Sequence, residues 1–202
     1  MISKTTALAA LCLVATSAWS GEAREKLDAF SDGLDTLGAR FEQVTRDENG
    51  RVVEESEGQL YYASPDRFRW DYRDPFPQLM LADGERLWHF DESLEQVTVR
   101  PQPEATESPL MVLTNPTLLE RFYDYRTGDS PEVLVISPHS EEAEFEQAYL
   151  HFRDGEPDRL ELVDPFGQKT TVTLMDIRRN PELDEDLFVF VLPEGVDVLE
   201  GM

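Results

Sequence analysis

The sequence predicts a mainly β protein with a few helices: an antiparallel sheet of about eleven short strands, curved into an open or closed barrel. Three observations predict it. Apolar and polar residues alternate through much of residues 41–177, the pattern of strands with one face buried. Asn49-Gly50, Asp83-Gly84 and Asp154-Gly155 punctuate those runs, and such pairs supply the positive φ of tight hairpins. Helical signals are concentrated in two places, near the start of the chain and in a proline-rich stretch after residue 100.

Residues 1–20 read as a secretory signal peptide outside the fold. Lys4 is the basic start, Ala7 to Ala15 the apolar core, and Ala18-Trp19-Ser20 a small-x-small site, with cleavage after Ser20 or Ala18. The segment is too short to span a membrane. Leu11 precedes Cys12 where a lipoprotein signal wants a small residue, so Cys12 is expected to leave with the peptide. The remaining chain has no cysteine, and neither disulfides nor thiol chemistry enter.

Residues 22–37 read as an amphipathic helix. Ala23, Leu27, Phe30, Leu34 and Leu37 form one stripe, Glu22 and Glu25 suit the positive end of the dipole, and Gly38 is the stop. Strands follow at 41–46 and 51–55, the second continuing through Gly58-Gln59-Leu60-Tyr61-Tyr62. After Ser64-Pro65 comes an aromatic meander. Phe68, Trp70 and Tyr72 share one parity, and Arg67, Arg69, Asp71 and Arg73 the other. Further strands are expected at 78–82, around Trp88 and Phe90, and at 94–99. The plain reading of this aromatic face is sheet core. Parity carried across the hairpins puts Phe68, Trp70, Leu81, Trp88 and Phe90 on one concave face, opposite Leu27, Phe30 and Leu34 of the helix. A one-residue slip would reverse that assignment.

Residues 100–116 break the pattern. Pro101, Pro103, Pro109 and Pro116 exclude a central strand. Ser108-Pro109 and Asn115-Pro116 each pair a helix cap with proline at the first helical position. Between them run Leu110, Met111, Val112 and Leu113, and a second short helix fits 117–122. Two small apolar helices in a β protein suit a lid over a cavity, with Leu110, Met111 and Leu113 facing it. Spacing alone suits a strand connection folded onto the core equally well. Strands resume at 122–126, 133–136, 145–153, 159–163 and 167–177; Asn180-Pro181 caps a helical turn, and 187–191 is the last strand. With no repeat or linker, residues 21–202 are expected to form a single domain.

The formal net charge is −24, which repels nucleic acid and anionic membrane surfaces. Lys4, Lys26 and Lys169 are the only lysines. An acid-rich, lysine-poor surface suits a salt-adapted host, or simply an acidic exported protein. His89, His139 and His151 do not lie at zinc-ligand spacing, and there is no Gly-x-Ser-x-Gly elbow or phosphate-cradling loop. No metal, no cofactor and no catalytic residue is expected, and the chain does not read as an enzyme.

Short motifs in a fixed order give the chain a family. They are Phe41-Glu42-Gln43, Gly58-Gln59-Leu60, the segment from Pro65 to Trp70, Asp83-Gly84 with Leu87-Trp88, and Leu94-Glu95-Gln96-Val97. Late in the chain come Asp164-x-Phe166-Gly167-Gln168-x-Thr170 and Phe188-x-Phe190-x-x-Pro193-x-Gly195-Val196. In this order the chain resembles the LolA family of periplasmic lipoprotein carriers. The resemblance implies an unclosed antiparallel barrel with helices over an apolar cavity for acyl chains. It implies triacylated lipoproteins as cargo, loading by the inner-membrane Lol ABC transporter, and delivery to the outer-membrane receptor LolB, by a monomer in the periplasm. The related LolB is lipid-anchored, and Leu11-Cys12 argues against that here. A lipid- or lipopeptide-sensing module of the same half-barrel fold is the alternative.

One position departs from the family pattern. The resemblance implies an arginine just before the proline at Pro65, latching the lid through hydrogen bonds to its carbonyls. Ser64 stands there instead. A serine has one donor on a short stem where arginine has five on a long one. A lid closed mainly by apolar contact is therefore expected.

Overall fold

The computed structural model describes residues 21–102, 111–140, 143 and 145–201; the segment expected to be a signal peptide lies outside them. Helix α1 (Glu22–Ser31) leads into strands β1 (Thr36–Arg46), β2 (Val52–Ala63), β3 (Arg67–Asp74), β4 (Gln78–Ala82), β5 (Arg86–Asp91) and β6 (Gln96–Pro101). Two short helices follow, α2 (Met111–Thr114) and α3 (Thr117–Phe122). Then come β7 (Tyr123–Thr127), β8 (Val133–Pro138), β9 (Gln147–Arg153), β10 (Glu156–Val163) and β11 (Lys169–Arg179). A 3₁₀ turn (Glu185–Phe188) and β12 (Asp197–Glu200) complete the chain.

The strands form one twelve-stranded sheet in the order β12-β6-β5-β4-β3-β2-β1-β11-β10-β9-β8-β7. The sheet is unclosed, with β12 and β7 as its edges. Every neighbouring pair is antiparallel except β12 with β6. Aspartates organise several tips. Asp47 Oδ1 accepts from the N–H groups of Asn49 and Arg51, and Asp164 Oδ1 from those of Phe166 and Gln168. Asp154 and Gly155 both take positive φ, 55° and 86°, which closes the β9–β10 hairpin with the right twist.

Registry defines two faces. On the inner face Leu37, Tyr62, Phe68, Ala82 and Leu87 lie in one cross-strand row. Ala39, Leu60, Trp70 and Met80 form the next row, and Phe41, Gly58 and Tyr72 the third. Helix α1 buries Ala23, Leu27 and Phe30. These join one core with Leu37, Phe41 and Leu60, with Val112 and Leu113 of α2, and with Leu134, Leu150, Leu160 and Leu174 of the later strands. Gly58 permits the close approach of β2 and β3 within this face. A Cβ there would stand 2.0 Å from the Asp71 carbonyl oxygen and 2.9 Å from the Phe41 ring.

Three expectations are corrected. The first helix stops at Ser31, not Leu37, and Gly38 belongs to β1. The Asn180 side chain accepts from the N–H groups of Asp35 and Thr36 and donates to the Gly33 carbonyl, holding this segment out of the helix. Leu34 and Leu37 stay buried, because their spacing serves an extended segment as well as a helix. Asn180 is thus a brace, and the following turn is capped instead by Asp184, which accepts from the Asp186 N–H at 3.0 Å. Residues 187–191 are not a strand. They belong to a C-terminal segment that crosses the outer face before β12 pairs with β6.

That segment covers a second apolar layer. Leu81, Val97 and Phe188 are buried, Trp88 stacks on Phe190 at 4.8 Å, and Phe90 meets Phe190 edge-on at 6.2 Å. Arg69 donates to the Leu187 carbonyl at 3.3 Å, and the Arg67 guanidinium lies over the Phe188 ring at 5.2 Å. Burial works against ionisation of Asp83. Hydrogen bonds from Trp88 Nε1 and the N–H groups of Arg86 and Glu85, with the Arg86 charge, outweigh it and hold the carboxyl below its usual range.

Two outcomes follow for stability. Gly58→Ala should lower the unfolding free energy by about 3 kcal/mol, because the added methyl overpacks backbone as well as side chain; a denaturation midpoint equal to wild type would contradict this. Asp83 has a depressed folded pKa, so its contribution is full above the unfolded value and is lost as pH falls below about 4. The stability gap between wild type and Asp83→Asn should therefore be wide at pH 7 and narrow at pH 3. A gap independent of pH would refute that role.

Candidate functional site

The inner face and α2 enclose a cavity of about 50 Å³, lined by Leu37, Leu60, Tyr62, Phe68, Trp70, Leu174, Leu113 and Thr114 and by parts of Tyr61 and Arg69. Strands β2 and β3 each contribute three consecutive residues, Leu60 to Tyr62 and Phe68 to Trp70, of which the alternation of a strand assigns Leu60, Tyr62, Phe68 and Trp70 to the inner face. The described part of α2 is one turn. It is held because Val112 and Leu113 are buried against α1 and the sheet.

The cavity wall continues into an aromatic cluster. Phe41 meets Trp70 and Tyr72 edge-on, each at 5.1 Å, and Trp70 lies near-parallel to Tyr72 at 6.1 Å. Burial, with the charge of Glu54, pushes the Tyr72 hydroxyl up to about 12. That hydroxyl is a neutral donor at physiological pH, given to Gln43 Oε1 at 3.2 Å.

Tyr62 is buried and its hydroxyl donates to the Pro65 carbonyl at 3.1 Å. Burial raises its pKa, against which hydrogen bonds with the side chains of Ser64 and Thr114 act. Thr114 belongs to α2 and lines the cavity together with Tyr62.

The structure brings together Leu27, Phe30, Leu34 and Leu113 in the core that carries the cavity, with Phe68 and Trp70 in the wall. It separates Leu81, Trp88 and Phe90. Registry pairs Arg69 with Leu81 and Leu81 with Trp88, and Leu79 with Phe90, which puts all three on the outer face. The cause is the one-residue slip: Phe68 pairs with Ala82, not Leu81. Leu110 and the side chain of Met111 lie outside the described residues. Sequence reasoning missed Leu37, Leu60, Tyr62, Thr114 and Leu174 as lining residues. Leu60 and Tyr62 could have been found from their spacing of two beside Gly58. Among the described residues no group of three or more His, Cys, Asp or Glu could hold a metal ion.

An unclosed sheet with an apolar inner face, roofed by short helices, defines a cradle for an apolar ligand. The sequence profile of the family described as "Outer membrane lipoprotein carrier protein LolA" matches residues 32–191. An outer-membrane lipoprotein carrier protein of Xanthomonas oryzae pv. oryzae (strain MAFF 311018) is 40% identical over 199 residues, 96% of this chain and 95% of the relative. One from Halorhodospira halophila (strain DSM 244 / SL1) is 38% identical over 192 residues, 95% of this chain and 92% of the relative. The chain belongs to the LolA family. Among solved structures, an uncharacterized conserved protein from Thermus thermophilus superposes with a TM-score of 0.55 at 17% identity. It covers 89% of this chain and 99% of that one, a likeness of fold alone.

Tyr62→Phe removes a buried hydroxyl of the wall, in the cavity that Thr114 of α2 also lines. A buried hydrogen bond of this kind is worth about 1 kcal/mol, so amide exchange over residues 112–119 should quicken about fivefold. Unchanged exchange there would show that apolar packing alone holds α2.

Proposed function

We propose that the protein is a periplasmic carrier that shields the acyl chains of lipoproteins between the inner and outer membranes. The observation that carries this reading is the apolar cavity between the inner face of β2–β3 and helix α2. Family membership supplies the cargo class. Shielding acyl chains needs apolar area and a movable roof, and each methylene withdrawn from water contributes about 0.8 kcal/mol. The chain needs no reacting group for this, and the reading is of a carrier, not an enzyme.

A cavity of about 50 Å³ is far below the roughly 300–1,000 Å³ of pockets for drug-sized ligands. Loading acyl chains therefore displaces the roof. The sheet is fixed by its ladder on both sides of β1, whereas α2 and α3, among the described residues, join the core through Val112, Leu113, Leu118 and Leu119. The lid is the part that moves.

Residues 1–20 then act as the export signal, and residues 21–202 as a single carrier domain working as a monomer. Loading falls to the inner-membrane Lol ABC transporter and unloading to LolB, whose site must bind the acyl chains more favourably. With a net charge of −24, the carrier is repelled by anionic bilayer surfaces, so protein partners at both membranes fit it better than direct lipid contact.

Native mass spectrometry of the protein purified from the periplasm should show whole triacylated lipoproteins bound one to one. Exchange over residues 111–122 should be slower in that complex than in the protein alone. Recovery only of lipid or peptide ligands, appearing under envelope stress, would instead identify a sensing module. Turnover of an ester substrate would identify an enzyme.

A further inference from the structure

Two of the residues lining the cavity carry a buried polar atom that the fold leaves unpaired, Trp70 Nε1 and Arg69 Nε, and of these only Trp70 has the inner-face parity, since Arg69 pairs with Leu81 on the outer face. Trp70 Nε1 is buried and has no hydrogen-bond partner among the described residues. The ring cannot readily swing to find one: Phe41 abuts it edge-on at 5.1 Å and Tyr72 lies parallel at 6.1 Å. An unpaired buried donor is costly, so it is retained where something else uses it. The other polar side chains of the wall have partners within the fold: Tyr62 donates to the Pro65 carbonyl, and Arg69 gives its terminal nitrogens to the Leu187 carbonyl and to Asp71, with its Nε left unpaired on the outer-face side of β3.

We infer that Trp70 Nε1–H is the polar contact of the cavity for its ligand, donating to an ester carbonyl at the glyceryl end of the acyl chains. This rests on the carrier reading and adds a recognition element to it. An unpaired N–H on a largely hydrocarbon inner face selects a group that accepts a hydrogen bond, brings no donor of its own and carries no charge. An ester carbonyl meets all three conditions. A carboxylate would bring a charge into an apolar site, and a hydroxyl a second unsatisfied donor. The contact forms as the acyl chains displace α2, and it sets how deep the chains run before the glyceryl group stops. Between the two sources of glyceryl esters, the family points to the diacylglyceryl-cysteine of a lipoprotein rather than a phospholipid.

The test uses the full mature chain and two synthetic lipopeptides with a free cysteine amine, one bearing two palmitoyl esters and the other two hexadecyl ethers. They match in apolar length but differ in the carbonyls. Wild type should bind the ester form about fivefold more tightly than the ether form, and Trp70→Phe, which keeps the aromatic bulk but lacks the N–H, should bring that ratio to about one. A ratio near one in wild type, or an unchanged ratio in Trp70→Phe, would overturn the inference while leaving the carrier reading intact. Failure of wild type to bind either lipopeptide would overturn both. Diacyl and dialkyl phosphatidylglycerol, measured alongside, separate the sources. An ester preference confined to the lipopeptides supports the lipoprotein anchor. One seen only with the phospholipids overturns it.

Discussion

The pairing of β1 with β11, from Leu37↔Arg179 to Arg46↔Lys169, is the seam on which the rest depends. In the sheet order it alone joins the meander β2–β6 to the strands β7–β10. Residues far apart in sequence thereby share one inner face, and Leu174 of β11 lines the same cavity as Leu60 of β2 and Phe68 of β3. Asn180 guards the end of the seam by bonding Gly33, Asp35 and Thr36. The same contacts end α1 and release the chain into β1. One polar side chain thus fixes both the helix over the core and the strand beneath it.

The two faces of β3–β5 carry different burdens. Phe68 and Trp70 meet the cavity. Behind them Arg67 and Arg69 lie under the C-terminal segment, and Trp88 and Phe90 pack on Phe190. Both faces of the wall are therefore covered, one by α2 and the core, the other by the C-terminal segment.

Much of this was legible in the sequence, for local reasons. The alternation of Phe68, Trp70 and Tyr72 against Arg67, Arg69 and Asp71 marks β3, Asp83-Gly84 marks the β4–β5 turn, and Asn115-Pro116 marks the start of α3 at Thr117. The misses are places where local signals were degenerate. Strand β4 reads Gln-Leu-Met-Leu-Ala, apolar on both faces, so its pattern cannot choose a register. The connection through Asp74-Pro75-Phe76-Pro77 is no two-residue turn, and parity could not be carried across it. Once β4 slipped, Leu81, Trp88 and Phe90 went to the wrong face together. The outer layer was hidden because residues 189–196 cover it without forming a strand, and β12 joins β6 in parallel, a pairing with no short-range signature. Tyr62 was missed because the cavity it lines is completed by Leu113 and Thr114, far along the chain.

The division of tryptophans between the two faces has an optical consequence. Trp70 stands in the cavity wall among Phe41 and Tyr72, and Trp88 sits under the C-terminal segment, its N–H given to Asp83 at 2.8 Å and its ring stacked on Phe190. The third, Trp19, lies within the first twenty residues. Emission from the folded domain therefore comes from two indoles that the sheet keeps apart, one with a free N–H beside the cavity and one with its N–H tied to a carboxylate. The first senses the polarity of whatever fills the cavity, the second the seating of the C-terminal segment, so the chain carries a separate spectroscopic channel for each side of its own wall.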